Sequence, residues 1–181
     1  MIKGVIFDVD GTLLDSMSVW RDITFRFFEK YNIPINDELN DRFQEMTLDE
    51  SAEFMVKELG FPMSEKQLSD ELIEMVSNEY LNNLPLKPYA YEYIKKLYDS
   101  DVRLAVATSG FEKTCEGAFK RLGIYDMFTA FAYSHEVGVN KSNPDIYLLA
   151  AKRMGVEPSE CEVYEDIAPG LEGARKGGLN F

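Results

Sequence analysis

Two aspartates one residue apart, Asp8 and Asp10, follow the short apolar run Gly4-Val5-Ile6-Phe7 and lead into Gly11-Thr12. Runs of Val, Ile and Phe that end at a glycine turn read as a buried strand. In an α/β protein, ligands bind beyond the carboxyl ends of strands, so both acids stand where chemistry is expected. Two carboxylates crowded at one strand end repel each other unless a cation or a proton relieves them. A divalent metal is the economical answer, and oxygen-only ligands favour magnesium. The plainer alternative is an acidic loop after a strand.

The segment Asp8-Val9-Asp10-Gly11-Thr12 resembles the first motif of the haloacid dehalogenase superfamily, whose members are mostly magnesium-dependent phosphotransferases. The resemblance implies that Asp8 is a nucleophile that becomes an aspartyl-phosphate. It implies that Asp10 is the general acid and base, with its backbone carbonyl on the metal. Thr108-Ser109-Gly110 is similar to the second motif, in which a hydroxyl hydrogen-bonds the transferring phosphoryl group. That makes Thr108 a catalytic candidate and Ser109 and Gly110 substrate-binding candidates. Lys141, followed by two residues and Pro144-Asp145, resembles the third motif, whose ammonium pairs with the nucleophile and the phosphoryl oxygens. Glu165-Asp166, followed by Gly170 and Ala174, resembles the fourth. There an acidic pair completes a magnesium shell, so the implied metal set is Asp8, Asp10, Glu165 and Asp166.

The four motifs occur in family order. With an inserted helical segment, the chain is similar to the subgroup that holds phosphoglycolate-type phosphatases and β-phosphoglucomutase. Mutase-like members bind a second phosphate. Here Leu48 stands beside Thr47 where an arginine is expected, and Gly110-Phe111-Glu112 stands where serine and asparagine are expected. A carboxylate opposite a phosphate is repulsive. The expected activity is therefore a phosphatase of a small phosphomonoester, a sugar phosphate or similar metabolite. A phosphosugar mutase is the alternative, and a non-catalytic or phosphoacceptor regulatory module is a third reading.

These groups need elements to hold them. Val19, Ile23, Phe27 and Tyr31, with Phe28, recur at helical spacing, and Asn32-Ile33-Pro34 ends that helix. Thr47-Leu48-Asp49-Glu50 and Ser64-Glu65-Lys66-Gln67 read as capping boxes that open two further helices. Residues 16–84 thus read as helices only and hold 15 acidic against 6 basic residues, so most of the net negative charge lies there. Strands return at 102–107, 128–133 and 162–164, alternating with helices, which predicts a parallel sheet covered on both faces. The expected architecture is α/β: a Rossmann-like core of residues 1–15 and 85–181, with an all-helical cap at 16–84. Ser16 and Leu84–Pro88 are the expected hinges. Gly177-Gly178-Leu179-Asn180-Phe181 resembles the opening of another strand, which predicts a longer protein of roughly 200–230 residues.

The net charge of −13 argues against nucleic acid or anionic membrane as a partner. A phosphate substrate survives that argument, because a metal and one lysine reverse the sign locally. Cys115 and Cys161 give no disulfide framework, and no run approaches membrane-spanning length. These features predict a cytoplasmic monomer acting on a small phosphorylated metabolite. His135, the only histidine, reads as loop surface, and Trp20 with Phe25, Phe27 and Phe28 reads as packing.

Overall fold

A computed structural model describes residues 1–43, 46 and 48–181, with the backbone alone at residue 44. The chain divides into one unit of Met1–Ser16 with Leu84–Phe181 and a second of Met17–Asn83. In chain order, strand β1 (Gly4–Phe7) is followed by four helices: α1 (Val19–Lys30), α2 (Asp37–Gln44), α3 (Leu48–Lys57) and α4 (Glu65–Asn82). Alternation then resumes with α5 (Ala90–Asp99), β2 (Arg103–Thr108), α6 (Glu112–Arg121), β3 (Ala130–Tyr133) and the single turn α7 (Ser134–Val137). The helix α8 (Asp145–Met154), strand β4 (Cys161–Tyr164) and helix α9 (Ala168–Lys176) complete it.

Among the described residues of the second unit, helices are the only regular secondary structure. Phe27 and Phe28 are fully buried and pack on Phe61, with ring centroids 5.3 and 5.0 Å away. Leu68, Leu72, Val76 and Tyr80 form the buried stripe of α4 at a spacing of four residues, as an amphipathic helix requires. The capping box expected at Ser64 forms: Gln67 N–H donates to Ser64 Oγ, and Ser64 N–H donates to Gln67 Oε1 at 3.0 Å. The one expected at Thr47 lies outside the described residues. Helix α2 has no counterpart in the apolar spacing, because its only buried large apolar residue is Phe43. It is held instead by polar groups. Asn36 Oδ1 accepts from Leu39 N–H at 2.8 Å, and the Arg21 guanidinium pairs with Asp37 and Asp41. Trp20 borders a cavity of about 260 Å³ in this unit, with Phe43, Met46, Leu48 and Met55 among its neighbours.

The first unit is a four-stranded parallel sheet in the order β3-β2-β1-β4. Asn180 extends the pairing beyond β4, donating to Cys161 O at 3.0 Å and accepting from Val163 N–H at 2.8 Å. On one face, Ala105, Ala107, Ala130 and Ala132 keep the strands low, so that Ile146, Tyr147 and Met154 of α8 pack directly on them. Burying each such large side chain contributes about 1.5–3 kcal/mol. Elsewhere in this core Phe7 meets Tyr93, Phe128 and Tyr164, at centroid distances of 5.2 to 6.3 Å. No helix among the described residues is long and apolar enough to cross a membrane. Strand β1 lies between β2 and β4, which brings the ends of all three strands around the residue after Phe7.

Candidate active site

Asp8 is that residue. Its N–H donates to Tyr164 O at 2.9 Å, so it still belongs to the sheet's pairing pattern. The chain then turns sharply: Leu13 and Leu14 both donate to Val9 O at 2.9 Å, and Gly11 takes φ +81°, a left-handed conformation that suits glycine. Residues on either side of the helical insertion pair here, with Asp15 N–H on Pro85 O and Lys87 N–H on Leu13 O at 3.1 and 2.8 Å. Ser16 Oγ donates to Asp10 Oδ1 at 2.7 Å and so anchors the second aspartate.

Lys141 lies in the loop before α8 and reaches back to the centre of the sheet. Its Nζ stands 2.5 Å from Asp8 Oδ1 and 2.6 Å from Glu165 Oε2. All three side chains are buried, to 7% exposure or less. Helix α9 fixes this loop from behind. A Cβ on Gly173 would stand 2.0 Å from Lys141 O, and Lys176 Nζ donates to Ser142 O at 2.9 Å. Glu165 follows β4 and lies flat on Gly170, where a Cβ would come within 2.4 Å of its Cγ and Cδ.

Burial pushes the Asp8 carboxyl up to about 6; Lys141 pulls the other way, and the Glu165 charge adds to the rise. Two buried oxygens in the same place, Asp8 Oδ2 and Glu165 Oε1, have no hydrogen-bond partner among the described residues. Buried acceptors without partners are rare in folded proteins and need a physical cause. Oxygens of Asp8, Glu165 and the exposed Asp166 all lie within 4.8 Å of one another. An all-oxygen, anionic set that includes the unsatisfied Glu165 Oε1 suits a hard divalent cation such as magnesium.

The remaining expected residues divide. Thr108, buried at the end of β2, accepts from Gly110 N–H at 3.0 Å, which leaves its own hydroxyl hydrogen to donate. Gly110 lies beside Asp10, since a Cβ there would stand 3.6 Å from Asp10 Oδ2. The Ser109 hydroxyl instead pairs with Ser134 Oγ at 2.9 Å. His135 is exposed and stacks on Tyr133.

A model of haloacid dehalogenase-like hydrolases matches residues 2–178. The chain belongs to this hydrolase family. Among its relatives, a phosphorylated carbohydrates phosphatase of Thermotoga maritima is 26% identical over 98% of this chain and 82% of that protein. The fructose-1-phosphate phosphatase YqaB of Escherichia coli is 27% identical over 98% of this chain and 93% of that protein. A Thermotoga maritima crystal structure provisionally named a β-phosphoglucomutase superposes with a TM-score of 0.90 at 26% identity, over 98% of this chain and 82% of that one.

Three residues of this hydrolase's site were not among the expected site residues, although Ser16 was expected as a hinge. Gly173 and Ser16 have the contacts given above. Tyr147 donates its hydroxyl to Glu165 Oε2 at 2.9 Å. It reads in sequence as one more residue of the apolar face of α8, and only the fold shows where its hydroxyl goes.

Proposed function

We propose that the protein is a magnesium-dependent phosphatase of a small phosphorylated sugar or similar metabolite, acting through an aspartyl-phosphate on Asp8. The observation that carries this reading is the buried Lys141–Asp8 pair, which holds Asp8 Oδ1 at 2.5 Å and leaves Oδ2 without a partner. One oxygen of the carboxylate is fixed by the ammonium; the other is available to attack.

In the first step Asp8 Oδ2 bonds to phosphorus as the ester phosphorus–oxygen bond breaks, and Asp10 gives its proton to the departing alcohol oxygen. In the second, ionised Asp10 takes a proton from a water whose oxygen bonds to phosphorus. The bond from phosphorus to Asp8 Oδ2 then breaks, inorganic phosphate leaves, and both aspartates return to their starting states. The hydrogen bond from Ser16 steadies Asp10 for both transfers. The Lys141 ammonium and the Thr108 hydroxyl meet the phosphoryl oxygens, whose charge is what the protein must stabilise in such a transfer. Magnesium, held by Asp8, Glu165, Asp166 and the Asp10 carbonyl, would when bound offset the charge of the carboxylates and the phosphoryl group.

The phosphatase names of the two relatives support hydrolysis of a sugar phosphate. A mutase would need a second phosphate site after β2, where Phe111 is 59% exposed and Glu112 brings a carboxylate. Two free buried cysteines and a net charge of −13 fit a monomer working in a reducing cytoplasm on a soluble metabolite, rather than on nucleic acid or a membrane. The test is phosphate release from a panel of sugar phosphates and p-nitrophenyl phosphate, with magnesium or with EDTA. Turnover that needs magnesium and is lost in Asp8→Asn is expected. Turnover unchanged by EDTA, or retained by Asp8→Asn, would overturn the proposal.

A further inference from the structure

Glu165 takes two donors on one oxygen. Lys141 Nζ reaches Oε2 at 2.6 Å, and the Tyr147 hydroxyl reaches the same atom at 2.9 Å. The other oxygen, Oε1, is buried without a partner, in a side chain only 1% exposed. The terminal torsion of a glutamate is broad and roughly two-fold. A lysine alone, on a flexible stem with three rotatable donors, would accept either oxygen or bridge both.

Tyr147 removes that freedom. Its ring is fully buried in the cluster that includes Ala105, Ala107 and Ala132, so its hydroxyl has a fixed address. Gly170 lies against the Glu165 stem, so the side chain lies between a helix backbone and two donors.

We infer that Tyr147 is a positioning residue: with Lys141 it saturates Glu165 Oε2, and so presents Oε1 to the oxygen cluster of Asp8 and Asp166 as the open acceptor for a divalent cation. This rests on the metal-dependent reading above and adds to it a residue outside all four motifs. Tyr147 touches neither substrate nor cation in this arrangement; it acts through Glu165. Partners of this kind typically account for about 10- to 100-fold in metal affinity or activity.

The experiment compares the wild-type chain with Tyr147→Phe, which keeps the ring and removes only the donor. Both are stripped of metal and titrated with magnesium chloride by calorimetry, without substrate. Magnesium affinity about tenfold weaker is expected. With p-nitrophenyl phosphate at saturating magnesium, kcat should return to within about threefold of wild type, because the chemistry does not use the tyrosine. A double-mutant cycle separates positioning from packing. If the tyrosine acts through Glu165, the substitution should change magnesium affinity by less than about twofold in a Glu165→Gln background. Equal affinities of wild type and Tyr147→Phe would overturn the inference, as would an undiminished effect in the Glu165→Gln background. A wild-type chain that binds magnesium but hydrolyses no phosphomonoester would overturn the functional reading alone, and the titration would still judge Tyr147. A wild-type chain that binds no magnesium would overturn the inference itself.

Discussion

Asp8→Asn should abolish turnover and yet stabilise the metal-free protein at neutral pH. In the folded chain burial raises the Asp8 carboxyl from 3.8 to about 6, against the opposing pull of Lys141 and with the help of the Glu165 charge. A folded pKa above the unfolded one means that the native state binds the proton more tightly. The stabilising contribution is therefore complete below about pH 4 and is lost as pH rises through about 6. At roughly 1.4 kcal/mol per unit, a rise of about two units makes ionised Asp8 cost on the order of 3 kcal/mol above pH 6. An uncharged amide of the same shape avoids that cost. In EDTA, Asp8→Asn and wild type should be equally stable near pH 4. The variant should gain through pH 6 and lead by about 2–3 kcal/mol at pH 7.5, which in a chain of this size corresponds to a Tm higher by about 4–12 °C. Urea unfolding followed by circular dichroism is the suitable assay. The only tryptophan, Trp20, sits in the 17–83 unit and would report the wrong half of the molecule. A variant no more stable than wild type at pH 7.5, or a stability gap that does not change with pH, would refute the reasoning.

Three further outcomes follow from the same geometry. Asp10→Asn should lower kcat by about 10²- to 10⁴-fold, more for a sugar phosphate than for p-nitrophenyl phosphate, whose leaving group needs less protonation; steady-state kinetics on both substrates checks it. Lys141→Met leaves Asp8 and Glu165 buried without their cation and should destabilise the metal-free protein by about 3–5 kcal/mol, with magnesium recovering part of the loss in thermal unfolding. Gly173→Ala places a methyl group on the Lys141 carbonyl, from which a Cβ would be 2.0 Å away; it should cost about 1–3 kcal/mol and also lower kcat, because the loop that carries the ammonium has to move.

How much of this was legible in the sequence depended on how local each signal was. β1 and its two aspartates could be read because few structures other than a strand end suit an apolar run that breaks into acids and a glycine. Ser64 with Gln67 announced the start of α4, since both partners of a capping box lie within one turn. Helix α2 could not be read from apolar spacing, because Phe43 is its single buried large apolar residue and its other ties are polar, to Arg21 some sixteen or more residues earlier. Asn36 before Asp37 was a usable sign of its start, since an Asn side chain at that position caps the first turn.

The site follows the same rule. Lys141 could be singled out because Pro144-Asp145 follows at a fixed spacing, although the carboxylates it pairs with lie 133 and 24 residues away. Gly170 could be placed only as part of a motif, and Gly173 not at all. A glycine that is needed because another backbone passes within contact distance leaves no pattern along the chain. Tyr147 shows the limit most clearly. At a helix position that faces the sheet, a tyrosine and a phenylalanine satisfy the same hydrophobic period, so sequence spacing cannot tell whether the hydroxyl matters. Here four alanines on β2 and β3 let α8 settle close to the sheet, and that depth brings the hydroxyl within reach of Glu165 beyond the end of β4. The geometry of this site therefore depends on small residues as much as on charged ones: the alanines set how far Tyr147 reaches, and the glycines of α9 set where Glu165 and Lys141 can lie.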